Sequence, residues 1–239
     1  MTNMSSPAKT THIFPKGVVK SLSIDNLVFG LDNDQLKILL VRQTDPLHEG
    51  KWALPGGWIY DNEDLRDASS RLLEDLTGVK NLFLEQLKTF GRVDRFPGER
   101  VVTVAYYALV SAEDYSLVAG QTAEDVSWQS VDQLPELVYD HADILAEGLR
   151  VLRQRVRHQP IGFNLLPAKF TLRQLQSLYE ILLNMKLDKP NFRRKILKMN
   201  FLAECDEKQG SVPHRAARLY RFDNDAYQRL TASGFSYKI

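Results

Sequence analysis

An α/β domain built on a mixed sheet, followed by a smaller helix-helix-hairpin domain, is the fold class this sequence predicts. Three observations predict it. Strand-like and helix-like patterns alternate up to Arg157, a helix-breaking Gln159-Pro160-Ile161-Gly162 follows, and the charge inverts across that point. Residues 1–150 hold 14 Lys+Arg against 23 Asp+Glu, a net of −9, whereas residues 151–239 hold 17 against 7, a net of +10; the whole-chain charge of +1 conceals two electrostatic opposites. Such asymmetry suits two domains with different partners and makes the basic one fit for a polyanion; a basic domain docked on an acidic one is the plain alternative.

The rest of the composition excludes several classes. With 239 residues, 44% hydrophobic and 26% charged, the chain can bury a substantial core, which rules out disorder and collagen. Cys205 is the only cysteine, so no internal disulfide forms, and the five histidines show no zinc spacing. The longest apolar run, Val101 to Val110, is about half of what a membrane-spanning helix needs. Lys9, His12, Lys16 and Lys20 lie among Ser, Thr and Pro without the apolar block of a secretory signal. Residues 1–17 therefore read as a flexible tail, and a cytoplasmic location fits.

The elements follow in order. Leu22 to Phe29 and Leu36 to Arg42 read as strands joined by a turn over Asp32-Asn33-Asp34. After a polar loop, Pro55, Gly56 and Gly57 predict a turn with unusual backbone angles. Leu65, Ala68, Leu72 and Leu76 recur at helical spacing, and Gly78 marks the stop. Strands are expected at Leu82 to Lys88, Thr89 to Val93 and Val101 to Val110, with Phe96-Pro97-Gly98 as the turn before the last, and another around Trp128. Asp140 to Arg157 is a long amphipathic helix that closes a first domain of residues 18–157. Residues 158–169 are the linker, and residues 170–239 the second domain. There Thr171 and Gln174 form a capping box before Leu172, Leu175, Tyr179 and Leu182, a helix ending near Asn184. Pro190 starts a basic helix to about Met199. Phe201 to Ala203 and Ala217 to Phe222 flank a hairpin, which completes the outline of a winged helix-turn-helix.

Gly57, Glu63, Arg71, Leu73, Gly78 and Val79 fall at the offsets of the Nudix box, and Trp52 to Gly56 is similar to its usual lead-in. The first domain thus resembles a Nudix fold: a mixed sheet with flanking helices. From the arginine onward, Nudix hydrolases carry Arg-Glu-aliphatic-any-Glu-Glu, whereas this chain reads Arg71-Leu72-Leu73-Glu74-Asp75-Leu76. Positions 72, 75 and 76 share one helix face, the spacing that gathers oxygens around Mg²⁺; with two leucines there no such cluster exists. Glu74 points to the other side. Neither catalytic residues nor a resident metal are assigned, since hydrolysis needs metal to neutralise charge and activate water. Glu63 and Arg71 are expected to pair and hold the loop.

The segment Phe90 to Val102 resembles the ADP-ribose branch of that superfamily. Arg42, Arg95 and Arg100 are the cations to set against a diphosphate, because guanidinium forks match phosphate oxygens. Phe90, Tyr106 and Tyr107 offer adenine-stacking rings, or simply fill buried strand positions. Asp140 and His141 either cap the long helix or touch a ribose. The expected ligand contacts are Arg42, Gly56, Gly57, Phe90, Arg95, Arg100, Tyr107 and His141.

In the second domain, Phe192, Ile196, Leu197 and Met199 read as an apolar stripe opposite Asn191, Arg194, Lys195 and Lys198, with Arg193 near its edge. Arginine forks read guanine and asparagine reads adenine in the major groove. Phosphate contacts are expected from Lys189, Lys198, Thr171, Arg173, Lys208, His214, Arg215 and Arg218. The degenerate Nudix box together with Phe170-Thr171-Leu172, Leu175-Gln176 and Asn191 to Lys195 resembles the NrtR-type, Nudix-related transcriptional regulators of NAD metabolism. The likeness spans residues 18 to 230. It implies a homodimer, most simply a repressor, on a palindromic operator in double-stranded DNA. ADP-ribose or a related NAD product would be the effector that weakens operator binding, with no cofactor required. An active ADP-ribose pyrophosphatase with a nucleic-acid-binding appendage, and an RNA-binding protein, are the alternatives.

Overall fold

The structure, a computed structural model, describes residues 18–32, 34–44, 50–209 and 216–239. The tail expected at residues 1–17 lies outside them. Strands β1 (Val18–Asp32) and β2 (Gln35–Gln43) form the expected antiparallel hairpin, with Leu31 opposite Leu36. The other edge of β1 runs parallel to β6 (Val102–Ser111), from Leu22 opposite Val102 to Leu31 opposite Ser111. The sheet order is β3 (Trp52–Ala53), β2, β1, β6, β5 (Glu85–Phe90), with β7 (Ala123–Ser130) also on β2 and β4 (Gly56–Tyr60) also on β1. β1 changes partner midway: residues 18 to 25 pair with β4 and residues 29 to 32 with β2. Between them the sheet splays, and the Asn26 N–H donates to the Pro55 carbonyl at 2.8 Å.

Strand periodicity sends alternate β1 side chains to opposite layers. Ile24 and Val28 pack toward α1 (Leu65–Thr77) with Leu72 and Leu73, whereas Leu27 and Phe29 pack toward α2 (His141–His158) with Ile144, Leu152 and Val156. Gly148 lets α2 sit close on the sheet: a Cβ there would lie 2.5 Å from Leu27 Cδ2. α1 ends at Gly78 in the left-handed region, as its position predicts.

Two local expectations are corrected. Gly56 and Gly57 form no turn of unusual angles; they lie in β4 without positive φ, and their need for glycine is close approach, since a Cβ on Gly56 would fall 2.3 Å from the Ile24 carbonyl oxygen. The two strands expected over residues 82–93 are one, ending at Phe90.

The second lobe consists of α3 (Leu172–Leu183), α4 (Lys189–Lys198), the hairpin β8 (Leu202–Lys208) and β9 (Arg218–Phe222), and α5 (Asn224–Ala232). The Thr171/Gln174 capping box is present, and Asn184 terminates α3 in the left-handed region. α5 was not foreseen; Asp223 caps it by accepting from the Ala226 N–H at 2.9 Å. The segment expected as a linker is packed. Phe163 meets Phe170, Phe201 and Phe222 with ring centroids 5.8, 6.0 and 4.7 Å away. One apolar core runs from Leu27 and Phe29 through Leu152 and Val156 into Leu175, Leu178 and Leu182, so α2 belongs to both lobes. No helix among the described residues is long and apolar enough to cross a membrane.

Candidate functional site

Where β1 switches partner, the splayed sheet leaves a cavity of about 280 Å³. Ser23 and Asp25 of β1, the backbone of Gly56 and Gly57, Arg95 and His141 form its polar interior. An aromatic run closes one side. Trp58 lies edge-on to Phe96 at 6.0 Å, Phe96 faces Tyr139 at 4.8 Å, and Tyr139 meets the His141 ring at 5.6 Å.

Beneath the rings is a buried ionic cluster. The Arg95 guanidinium donates through Nε to Asp140 Oδ2 at 2.9 Å and through Nη2 to Asp140 Oδ1 at 2.8 Å, and reaches Asp25 Oδ2 at 3.3 Å. His141 Nδ1 accepts the Leu54 N–H at 3.0 Å, which leaves its ring proton on Nε2, facing Asp25 Oδ1 at 3.4 Å. Burial of two carboxylates is tolerable here because one guanidinium fork and one imidazole satisfy them. Asp140 precedes α2 but makes no side-chain cap: its carboxylate is committed to Arg95, which corrects the capping expectation.

Of the expected ligand contacts, this cavity gathers Gly56, Gly57, Arg95 and His141. Arg95 is itself 4% exposed and ion-paired, so it is no free cation for a diphosphate. Arg42, Phe90, Arg100 and Tyr107 do not line the cavity. Arg42 Nε donates to the Gly50 carbonyl at 3.1 Å and lies 3.5 Å from Glu124. Phe90 carries Lys88 over its ring at 5.5 Å, and Arg100 turns back onto the carbonyls of Arg92 and Val101. Tyr107 packs against α2 and the junction of the lobes, beneath Arg155, and burial pushes its hydroxyl up to about 12. Tyr106, one residue away, falls on the α1 face.

On the box helix, positions 72, 75 and 76 supply no set of metal ligands. Leu72 is 8% exposed, Leu76 packs partly against Val41, Ala53 and Val138, and of positions 72, 75 and 76 only Asp75 is a carboxylate. Glu63 is taken by Arg71 through bonds of 2.8 and 2.6 Å, and this partner holds its carboxyl below the usual range. Arg71 also donates to the Trp58 carbonyl at 3.1 Å, so the pair pins the loop as expected. Among the described residues no group of three metal-ligating side chains converges, and the residues at positions 72, 75 and 76 do not fit Mg²⁺.

At the far end of α2 lies a basic surface. Asp188 caps α4 by accepting from the Asn191 N–H at 3.0 Å. Lys189, Arg193, Arg194, Lys195 and Lys198 are exposed, and no described carboxylate pairs with any of them. Arg194 Nη2 donates to Asn191 Oδ1 at 2.5 Å, joining the two expected base readers. Leu197, expected in the apolar stripe, is corrected: it is 41% exposed, while Phe192, Ile196 and Met199 are buried. Thr171, expected on phosphate, is 4% exposed and bonded to the N–H of Gln174 at 3.2 Å. Arg173 is exposed at the start of α3. Arg218 pairs with Glu204 at 2.5 Å across the hairpin. Lys208 belongs to β8, its side chain lying outside the described parts, and His214 and Arg215 lie outside the described residues.

Comparison with known proteins agrees with this two-lobed architecture. The NUDIX domain family matches residues 24–148, and the family described as the NrtR DNA-binding winged helix domain matches residues 162–222. Over 205 residues the chain is 33% identical to the "ADPR responsive transcriptional repressor NtrR" of Acinetobacter baylyi, covering 84% of this chain and 81% of that one. The chain belongs to the NrtR family. Its fold is similar to Shewanella oneidensis NrtR crystallised with a 27mer DNA, with a TM-score of 0.71, 29% identity, and 91% and 98% of the two chains covered. It is also similar to the NUDIX domain of Shewanella oneidensis NrtR complexed with ADP ribose, with a TM-score of 0.52, 32% identity, and 56% and 89% covered.

In this NrtR-family chain, sequence reasoning missed Ser23, Asp25, Trp58, Phe96 and Tyr139 as parts of the cavity. Trp58 directly follows the glycine pair and Tyr139 directly precedes Asp140, so both neighbour residues that were singled out. Asp25 lies in an apolar strand with no local signal at all; only pairing with Arg95, 70 residues away, reveals it.

Proposed function

We propose that this chain is an ADP-ribose-responsive transcriptional repressor, acting as a homodimer on a palindromic operator that governs genes of NAD metabolism. What carries this function is α2, whose first turn bounds the aromatic and ionic cavity and whose last turns pack on the winged helix. Two recognition helices must sit about one DNA turn apart, so a small rotation of one lobe misplaces a helix.

The cavity's size suits part of such an effector. At about 280 Å³ it lies at the lower edge of small-molecule sites, which run from about 300 Å³ upward. ADP-ribose would fill this space and extend along its aromatic rim, where Trp58, Phe96 and Tyr139 offer rings to its base. Phe96 directly follows Arg95 and Tyr139 directly precedes Asp140, so a ligand on these rings acts next to the Arg95–Asp140 tie before α2. A coupling of about 1 to 3 kcal/mol between effector and operator changes affinity roughly 5- to 150-fold. Operator binding measured with and without ADP-ribose tests it; unchanged affinity at saturating effector removes the sensing role.

The Nudix lobe is a sensor rather than a hydrolase, because Leu72 and Leu76 stand where metal-binding carboxylates are needed. Release of AMP and ribose 5-phosphate from ADP-ribose with Mg²⁺ decides this. Turnover within the ordinary enzyme range, about 1 to 10³ per second, makes the chain a pyrophosphatase instead.

A further inference from the structure

We infer that Leu197 is a specificity-determining residue that reads a thymine methyl group in the major groove. This rests on the reading of α4 as the recognition helix. α4 buries Phe192 and Ile196, and Met199 at its end, in the core of the second lobe. Leu197 does not join that core and is 41% exposed. At 100° per residue it projects between Arg193, one turn earlier, and Arg194, three residues earlier, on the side facing away from the core. Both arginines are exposed, and neither has a carboxylate partner among the described residues.

A single exposed leucine is ordinary on a protein surface. This one differs in its company: on α4 it lies between the exposed Arg193 and Arg194, with the exposed Pro190 two turns earlier on the same side and Lys198 next to it in sequence. In the major groove of B-form DNA the base edges present hydrogen-bonding groups and one apolar group, the C5-methyl of thymine. A leucine carried into that groove between two guanidinium forks has this one group to bury itself against. The preference would belong to DNA alone, since uracil lacks the methyl and the deep groove of A-form RNA does not admit side chains.

The test begins with selection of duplexes from a random pool by the full chain. In the tightest duplex each thymine is then replaced singly by deoxyuridine, which keeps every hydrogen-bonding group and loses only the methyl. For the unmodified protein, one thymine per half-site is expected to respond, with affinity falling about three- to fivefold, the worth of one buried methyl. Leu197→Ala should bind the thymine duplex with the same deficit and become indifferent to deoxyuridine at that position. Arg194→Ala should keep the methyl response while losing affinity elsewhere. Leu197 is exposed, so Leu197→Ala should melt at the wild-type temperature. Sequence-selective binding that ignores every deoxyuridine, or a Leu197→Ala protein that retains the full methyl response, overturns the inference. Selection that returns no preferred duplex fails the operator reading itself.

Discussion

Arg95 and Asp140, 45 residues apart in the chain, form a two-pronged ion pair whose side chains are 3% and 5% exposed. It ties the loop carrying Phe96 to the residue that precedes α2. Without Arg95, the Asp140 carboxylate would stay buried and uncompensated and Asp25 would keep only its contact with His141, a loss that typically costs about 3 to 5 kcal/mol. Arg95→Ala is therefore expected to lower the urea midpoint strongly. Asp140→Asn, which keeps a hydrogen-bond acceptor for the guanidinium, should cost clearly less. Equal midpoints for Arg95→Ala and the parent would show that the pair does not hold the loop.

Thr171 belongs to the frame of the second lobe and not to its surface. Its hydroxyl accepts from the Gln174 N–H while the Gln174 side chain accepts from the Thr171 N–H, at 3.2 and 2.8 Å. Thr171→Ala is expected to cost about 0.5 to 2 kcal/mol of stability, as loss of an N-cap does. The salt dependence of DNA binding should not change, because no phosphate contact is lost. A shallower salt slope, with unaltered stability, would return Thr171 to the interface.

Stability at high pH should follow the buried tyrosines. Burial raises the hydroxyls of Tyr107, Tyr179 and Tyr237 above the ordinary tyrosine value, that of Tyr107 to about 12. The folded state thus holds protons that the unfolded chain releases near pH 10. Their stabilising contribution is complete below that pH and is lost as pH rises through the folded values. Among the described residues Tyr107 Oη makes no hydrogen bond of normal geometry, although Arg155 and Glu85 lie beside it, so Tyr107→Phe should cost little at pH 7 and lose less stability than the parent between pH 10 and 12. Urea unfolding across that window checks it, and an identical loss in both proteins would exclude Tyr107 as a contributor.

On the basic helix, two residues should separate by function. Arg194, bonded to Asn191, is the proposed base reader, whereas Lys198 is an exposed point charge. Arg194→Ala is expected to weaken the selected duplex by about 1 to 3 kcal/mol and relax preference at one position. Lys198→Ala should weaken all duplexes alike and reduce the log-log salt slope by about 0.9. Titration of specific and random duplexes at several salt concentrations distinguishes them; matched losses on both duplexes for both variants contradict the division.

The elements were largely legible because their signals are local. The Thr171/Gln174 box, the Gly78 and Asn184 stops and the β1–β2 hairpin each depend on a few adjacent residues. α5 went unseen because its apolar positions, Tyr227 and Leu230, are sparse and only partly buried. The site was less legible. Arg95 looks like a ligand for phosphate until Asp140 and Asp25 are folded onto it, and no spacing rule connects three residues so far apart.

By itself, the sequence determined the division into an acidic and a basic lobe, the run of strands and helices, and the leucines at 72 and 76 on the box helix. Composition and period carry that information directly. Tertiary structure alone decided which faces are covered: Tyr107 inward against α2, Leu197 outward on α4, Arg95 sealed by two carboxylates. Periodicity says which side chains share a face, but only the packing of distant segments determines whether that face meets protein or solvent.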